Sequence, residues 1–270
     1  MFPSFEFLGR EIGLYSLCAL AGIFSAGIFA LQVAKKRGLD QNQMLFGLLW
    51  AGLGAFAGGH LLYGITNIRY LIRLFSLIGE ITAGQFFQGL YFVFGGMVFY
   101  GGLLGGMAAM LIYLKCKKLC VPEYSDICAP AVPLFHVFGR IGCFLGGCCY
   151  GVESGIGFIY TKALDPLANG VRRFPIQLAE AAVNLILFFI LYGMLKKGRL
   201  KGKLFCLYLL MYSVCRFILE FWRGDEIRGF ILGISTSQFI SIFVFIGALL
   251  GLLLIKKRAF KDNQELHKDF

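Results

Sequence analysis

Five ionisable residues stand inside long apolar runs of this chain: His136, Arg140, Glu180, Arg216 and Glu220. The first three apolar runs hold only His60. A charge at the centre of a bilayer costs roughly 3 kcal/mol on insertion scales, so such residues mark a use. His136 and Arg140 are four apart and share one helix face. Arg216, Glu220 and Arg223 follow at i, i+4 and i+7, again on one helical face. Three arginines against one or two carboxylates leave positive charge uncompensated, and the planar guanidinium fork suits phosphate or carboxylate. The pattern points to an anion held in an apolar interior. The alternative is a set of ion pairs that only lock helices together.

Arg140 belongs to the stretch 136–151, HVFGRIGCFLGGCCYG. Glycines at 139, 142, 146, 147 and 151 predict a broken or closely packed segment lining a cavity rather than a regular helix. Gly101 with Gly105, and Gly102 with Gly106, are small-xxx-small pairs for close helix approach. Packing is the expected role of most of these glycines, and Tyr100 sets a phenol beside that thin surface. Cys143, Cys148 and Cys149 contain a vicinal pair with no second cluster, which does not match common zinc spacings, so no metal is expected. An outer-face disulfide and free buried thiols are the two readings of these cysteines.

The elements that must position these residues follow from composition. The chain has 270 residues, 58% apolar and 15% charged, with a mean hydropathy of +0.75. Soluble domains carry about a quarter charged residues, so disorder is excluded and a soluble globular enzyme is disfavoured. The net charge of +11 does not signal nucleic acid, because the basic residues cluster between apolar runs as in the cytoplasmic loops of membrane proteins. Residues 1–13 lack a basic start and a small-residue cleavage site, so the first apolar run is read as a retained helix.

A spanning helix needs about 20 apolar residues, and seven runs qualify: 12–34, 44–65, 86–114, 127–149, 176–195, 204–222 and 230–255. The expectation is an all-α, polytopic membrane protein, a single integral membrane domain over 1–270. The third run exceeds a straight crossing and is expected to tilt or break. With the N-terminus outside, the segments 35–43, 115–125, 196–203 and the tail after 255 hold sixteen Lys and Arg, against eight outside, among them Arg228. That asymmetry predicts an outside N-terminus and an inside C-terminus. The outside segment 66–85 has an amphipathic cast, with Arg69 and Arg73 beside Tyr70, Leu71, Leu74, Phe75 and Ile78. It reads as a helix on the outer leaflet or as an ordinary loop helix.

The chain resembles the prolipoprotein diacylglyceryl transferase family over nearly its whole length. The residues that carry the resemblance are Gly139-Arg140-Ile141-Gly142-Cys143-Phe144 with the close Tyr150-Gly151, and Pro175-Ile176-Gln177-Leu178-Ala179-Glu180. The late Arg216, Glu220 and Arg223, the block Ser235-Thr236-Ser237-Gln238, and Tyr15 on the first helix add to it. Five positions depart from the usual pattern. Tyr100-Gly101-Gly102-Leu103 stands where members have His-Gly-Gly-Leu, and His60 replaces an arginine. Cys143, Gly146 and Cys148 replace residues that include Asn and Glu, as in a Cys-Cys-Tyr-Gly branch.

The resemblance implies a seven-helix enzyme of the bacterial inner membrane. Such an enzyme moves the diacylglyceryl group of phosphatidylglycerol to the lipobox cysteine of a preprolipoprotein signal peptide. The partners are then membrane lipid and that peptide, with no nucleic acid, metal or other cofactor. The implied catalytic set is Tyr100, Arg140, Arg216 and Glu220, with Arg140 and Arg216 on the lipid phosphate and Glu220 orienting Arg216. The implied substrate contacts are Tyr15, Gly101, Gly102, His136, Gly142, Cys143, Gly151, Gln177, Glu180 and Arg223, the last near the outer mouth. Tyr100 is the candidate for proton transfer or hydrogen bonding, although a phenol is a poor base at neutral pH. Two other classes stay open: a transporter for an anionic solute, and a relative that binds lipid or modifies another acceptor.

Overall fold

The computed structural model describes residues 3–7, 9–225, 230–231 and 233–266. Arg228 and Lys268, both used in the charge asymmetry, lie outside the described residues. The protein is mostly helical, and the described residues also form three two-stranded antiparallel sheets that an all-α reading leaves out. Contacts divide it into one unit of residues 1–33 and 122–270 and another of residues 34–121.

In the first unit a short hairpin, β1 (Ser4–Phe7) with β2 (Arg10–Gly13), leads into α1 (Leu14–Lys36). The chain returns to this unit with α6 (Val121–Gly146), after the four helices of the other unit. Then come β3 (Glu153–Ile159) and β4 (Arg172–Arg173), α7 (Ile176–Lys196), and α8 (Leu204–Leu219) with a 3-10 turn over Glu220–Trp222. A hairpin of β5 (Phe230–Ile231) and β6 (Ile234–Ser235) precedes α9 (Thr236–Leu266).

The central helix of this unit is α6. Half of its most apolar window is buried, against 11–33% for the other candidate spans. Its start is tied to the α7–α8 turn: buried Asp126 accepts the backbone N–H groups of Gly202 and Leu204. Its glycines do not break it. The helix runs unbroken through Gly139 and Gly142, and the expected span 127–149 becomes 121–146. Gly142 instead gives close packing, because a Cβ there would press on Cys18 and Tyr15 of α1. The helix stops at Gly147, whose φ of 72° suits a residue without a side chain. Gly147 N–H reaches Phe144 O (3.3 Å) and Cys148 N–H reaches Cys143 O (3.2 Å), the paired bonds that close a helix C-terminus.

The expected outside loop 150–175 is built rather than irregular. Phe144, Tyr150, Tyr160 and Ala168 form their own buried cluster. Arg173, only 9% exposed, lies 4.2 Å over the Tyr150 ring and donates to the carbonyls of Leu167, Ala168 and Gly151. The start of α9 is a reciprocal cap: Gln238 N–H donates to Ser235 Oγ, and Ser235 N–H to Gln238 Oε1, both at 3.1 Å. That hairpin and cap move the start of the last helix from the expected 230 to Thr236.

The second unit holds α2 (Gln41–Thr66), α3 (Ile68–Ser76), α4 (Ala83–Phe94) and α5 (Phe99–Cys116). The long third run does break, at residues 95–98, into α4 and α5. The freed backbone groups find partners on α2: His60 Nδ1 bonds Phe94 O at 2.7 Å, and Val98 N–H bonds Gly59 O at 3.1 Å. The small-xxx-small pattern acts as expected. Gly54 and Gly58 of α2 meet Gly105 and Gly101 of α5 so closely that a Cβ on any of them would strike the facing backbone carbonyl. The amphipathic α3 packs on α4 through the ring pairs Tyr70–Phe92 and Phe75–Phe86.

Among the described residues six helices are long and apolar enough to cross a bilayer: α1, α2, α6, α7, α8 with its 3-10 turn, and the Thr236–Ile255 part of α9. The apolar part of α5, Tyr100–Cys116, is shorter. Large apolar residues such as Phe24, Phe56, Phe189 and Leu254 point outward, more than 60% exposed apart from a bilayer. That is the face a lipid-solvated helix presents.

Candidate functional site

Glu180 is the hub of the first unit. The buried face of α7 carries Ile176, Gln177, Glu180, Ala181, Asn184, Leu187 and Leu191, so helical periodicity drives a carboxylate inward among apolar residues. Three arginines from three segments converge on it. Arg140 of α6 approaches through Nε, 3.0 Å from Glu180 Oε2, and Arg216 of α8 donates from Nη1 to Glu180 Oε1. Arg223, beyond the 3-10 turn, brings Nη1 to 4.0 Å of Glu180 Oε1.

Arg216 is held on both sides. Its Nη2 meets Glu220 Oε2 at 2.6 Å and Ser237 Oγ at 3.0 Å. Arg223 does not share its helix face as expected, because α8 ends at Leu219 and Arg223 is extended. Its guanidinium grips Asp225 by a fork, Nε to Oδ1 at 3.1 Å and Nη2 to Oδ2 at 2.7 Å. Burial raises the Asp225 carboxyl above the usual carboxylate range, while the Arg223 fork works in the other direction.

Asp225 corrects the charge count. Arg140, Arg216 and Arg223 face Glu180, Glu220 and Asp225, so the expected excess of positive charge is absent from the formal tally. What remains is an asymmetry of geometry. The Arg140 side chain is 21% exposed, against 10% for Arg216 and 5% for Arg223. Only its Nε is engaged, and its two terminal amino groups make no hydrogen bond among the described residues. Arg140 lines a cavity with Glu180, Asn184, Tyr212, Cys215 and Arg216. The cavity has room for about one water, and Arg140 is the most exposed of the three arginines that meet around Glu180.

The close Tyr150-Gly151 has its role in backbone pairing. Val152 N–H donates to Trp222 O and Gly224 N–H to Tyr150 O, while Phe174 N–H donates to Val152 O. A Cβ on Gly151 would collide with Phe174 O, so only glycine admits three backbones here. This clamp fixes Arg223. Gln177 is fully buried and donates from Nε2 to Cys148 O (2.9 Å) and Tyr160 Oη (3.2 Å). Burial pushes the Tyr160 phenol up to about 12, with the Gln177 bond opposing.

His136 sits one turn before Arg140, its ring 5.5 Å from that of Tyr212. Tyr15 lies against Gly142. Cys143, Cys148 and Cys149 are free thiols, not a disulfide. Tyr100, Gly101 and Gly102 stand in the other unit. There Gly101 meets the Gly58 carbonyl and Gly102 the Ala55 carbonyl, which gives both glycines a packing role. The sequence reading gave no site role to Asp225, Tyr212, Ser237 or Arg173. A signal existed for Asp225, an acid two residues past an arginine, and for Ser237, inside the Ser-x-x-Gln block.

The comparisons with known proteins decide the family. Residues 4–254 match the family described as prolipoprotein diacylglyceryl transferase. The chain belongs to that family. It is similar to a phosphatidylglycerol–prolipoprotein diacylglyceryl transferase of Clostridium tetani, 34% identical over 245 residues, covering 90% of this chain and 92% of the relative. It is also similar to a Clostridium perfringens protein named phosphatidylglycerol–prolipoprotein diacylglyceryl transferase 2, at 35% over 265 residues and 96% and 97% coverage. A Campylobacter hominis relative with the same transferase name is 30% identical over 262 residues, with 93% and 89% coverage. In this chain, Arg140, Glu180 and Arg216 form one connected cluster drawn from three of the blocks that carry the resemblance.

Proposed function

We propose that this chain transfers the diacylglyceryl group of phosphatidylglycerol to the lipobox cysteine of a preprolipoprotein signal peptide, at the outer face of the bacterial inner membrane. The cysteine thiol loses its proton, and the thiolate attacks the glyceryl carbon that bears the phosphate. A C–S bond forms as the C–O bond breaks, and glycerol phosphate leaves. The phosphate goes from one negative charge as a diester towards two as a leaving monoester. Fixed donors around it therefore bind the transition state more tightly than the ground state.

Arg140 carries this reading. It lines the cavity beside Glu180, its Nε 3.0 Å from Glu180 Oε2, and is the most exposed of the three arginines. Arg140 takes the lipid phosphate. Arg216 adds positive field while Glu180, Glu220 and Ser237 keep it in place. His136, Gly142, Cys143 and Tyr15 border the same stretch of α6 and are proposed substrate contacts. Gln177, Gly151 and Arg223 support its rim. Tyr100 is proposed, on the resemblance alone, as a hydrogen-bond donor to lipid or thiol. The broken pair α4 and α5 counts as one crossing in the proposed topology of seven spans, with the N-terminus outside and the C-terminus inside.

Complementation tests the proposal. In a bacterial strain depleted of its own transferase, expression of this chain should restore growth and add the mass of one diacylglyceryl group to a reporter lipoprotein. A stably inserted protein that leaves the reporter unlipidated would overturn it.

A further inference from the structure

Three sulfurs converge where α6 ends. The Sγ atoms of Cys143, Cys148 and Cys149 all lie within 4.8 Å of one another. Cys143 is buried, Cys148 and Cys149 are half-buried, and none is in a disulfide. The backbone is shaped to bring them together. The turn at Gly147 reverses the chain after Cys143, and Cys149 has a φ of 54°, in the left-handed region that a β-carbon disfavours. Packing alone gives no reason to hold a cysteine there. A glycine would relieve the strain, and a cysteine serving as a small hydrophobe needs no sulfur neighbours.

We propose that Cys143, Cys148 and Cys149 form a binding site for a thiophilic metal ion, zinc(II), with the fourth position left to an exchangeable ligand. Zinc–thiolate bonds of about 2.3 Å in a tetrahedron put sulfurs about 3.8 Å apart. The present separations need to close by only about 1 Å. Binding displaces the three thiol protons to water. Three thiolates and one zinc(II) carry a single negative charge. The ion would clip the C-terminus of α6 to the turn that leads into Tyr150 and Gly151, whose backbone pairs with Trp222–Gly224. It would thereby brace the segment that carries Arg223. The site shares Cys143 with the substrate contacts proposed above, and its test reads metal binding rather than transfer.

The test uses the full chain in detergent, reduced and stripped of metal, titrated with cobalt(II) as a spectroscopic stand-in. One equivalent should produce sulfur-to-cobalt charge-transfer absorption and the visible bands of a tetrahedral thiolate site, and one equivalent of zinc(II) should bleach them. Cys149→Gly suits the left-handed backbone and so removes the sulfur without a conformational cost. It should abolish both features in a protein that still folds. Changing the exposed Cys116 and Cys120 to serine should leave them intact. Absence of the bands in the unmutated protein, or their persistence in Cys149→Gly, would overturn the site. So would protein two daltons light that takes up no cobalt after reduction, which would make the cluster a disulfide pair instead.

Discussion

Arg140→Ala removes a guanidinium that lines the cavity, and Arg216→Ala removes the ion-pair partner shared by Glu180 and Glu220. Each should lower transfer to a lipobox peptide by on the order of 10²–10³ without preventing insertion, as loss of a transition-state donor does. Arg140→Lys should also be poor, since a point charge cannot keep the Nε contact to Glu180 and still offer two parallel donors. Near-normal single-turnover rates in inserted Arg140→Ala protein would remove it from the phosphate role. Glu180→Gln is a different experiment. It withdraws the carboxylate that serves three arginines at a side chain only 3% exposed. Breaking a buried pair this way costs about 3–5 kcal/mol, so the thermal midpoint should fall along with activity. Tyr100→Phe should lose roughly tenfold, about 1.4 kcal/mol, the upper range of one neutral hydrogen bond. Tyr100→His restores the residue usual in the family and should stay active. A loss beyond about 10³ in the Phe variant would make Tyr100 a full acid–base group instead.

Among the elements, α2 and α5 make the sharpest case. Gly105→Ala places a methyl against the Gly54 carbonyl oxygen, backbone on backbone, where no side chain can swing aside. The two helices must separate, at a cost of about 1–3 kcal/mol. Gly52, on the same α2, has open space where a methyl would stand. Gly52→Ala should therefore be neutral or stabilising, by up to about 1 kcal/mol from helix propensity. Thermal unfolding of the two variants in detergent compares them directly, and equal midpoints would contradict the close contact. The same comparison shows why small-residue spacing was legible in the sequence while its partner was not. Gly101 and Gly105 announce a thin face, but only the packed pair reveals that Gly54 and Gly58 fill it.

For the whole molecule, the proposed orientation follows from the distribution of Lys and Arg. A thiol reagent confined to the outside should reach a cysteine at exposed Leu167 but not one at exposed Lys197. The native exposed Cys116 and Cys120 should react only after the membrane is opened. The reverse pattern would sink the orientation. The membrane class, the apolar runs and the residues Arg140, Glu180, Arg216 and Glu220 were readable from residue order alone, because bilayer burial penalises charge one residue at a time. The charge balance was not. Asp225 lies two residues beyond Arg223, yet it enters the tally only because α8 stops at Leu219 and the chain turns extended to pair with Gly151. A helical wheel cannot foresee that stop, since a backbone segment far back in the chain, at Gly151, decides it. Likewise, the glycines of α6 looked like helix breakers by propensity. Packing against Tyr15 and Cys18 turned one of them into a contact surface, and the left-handed turn at Gly147 confined the break to the helix end. Local rules set which residues are costly to bury. Long-range backbone pairing and close packing set which of them meet.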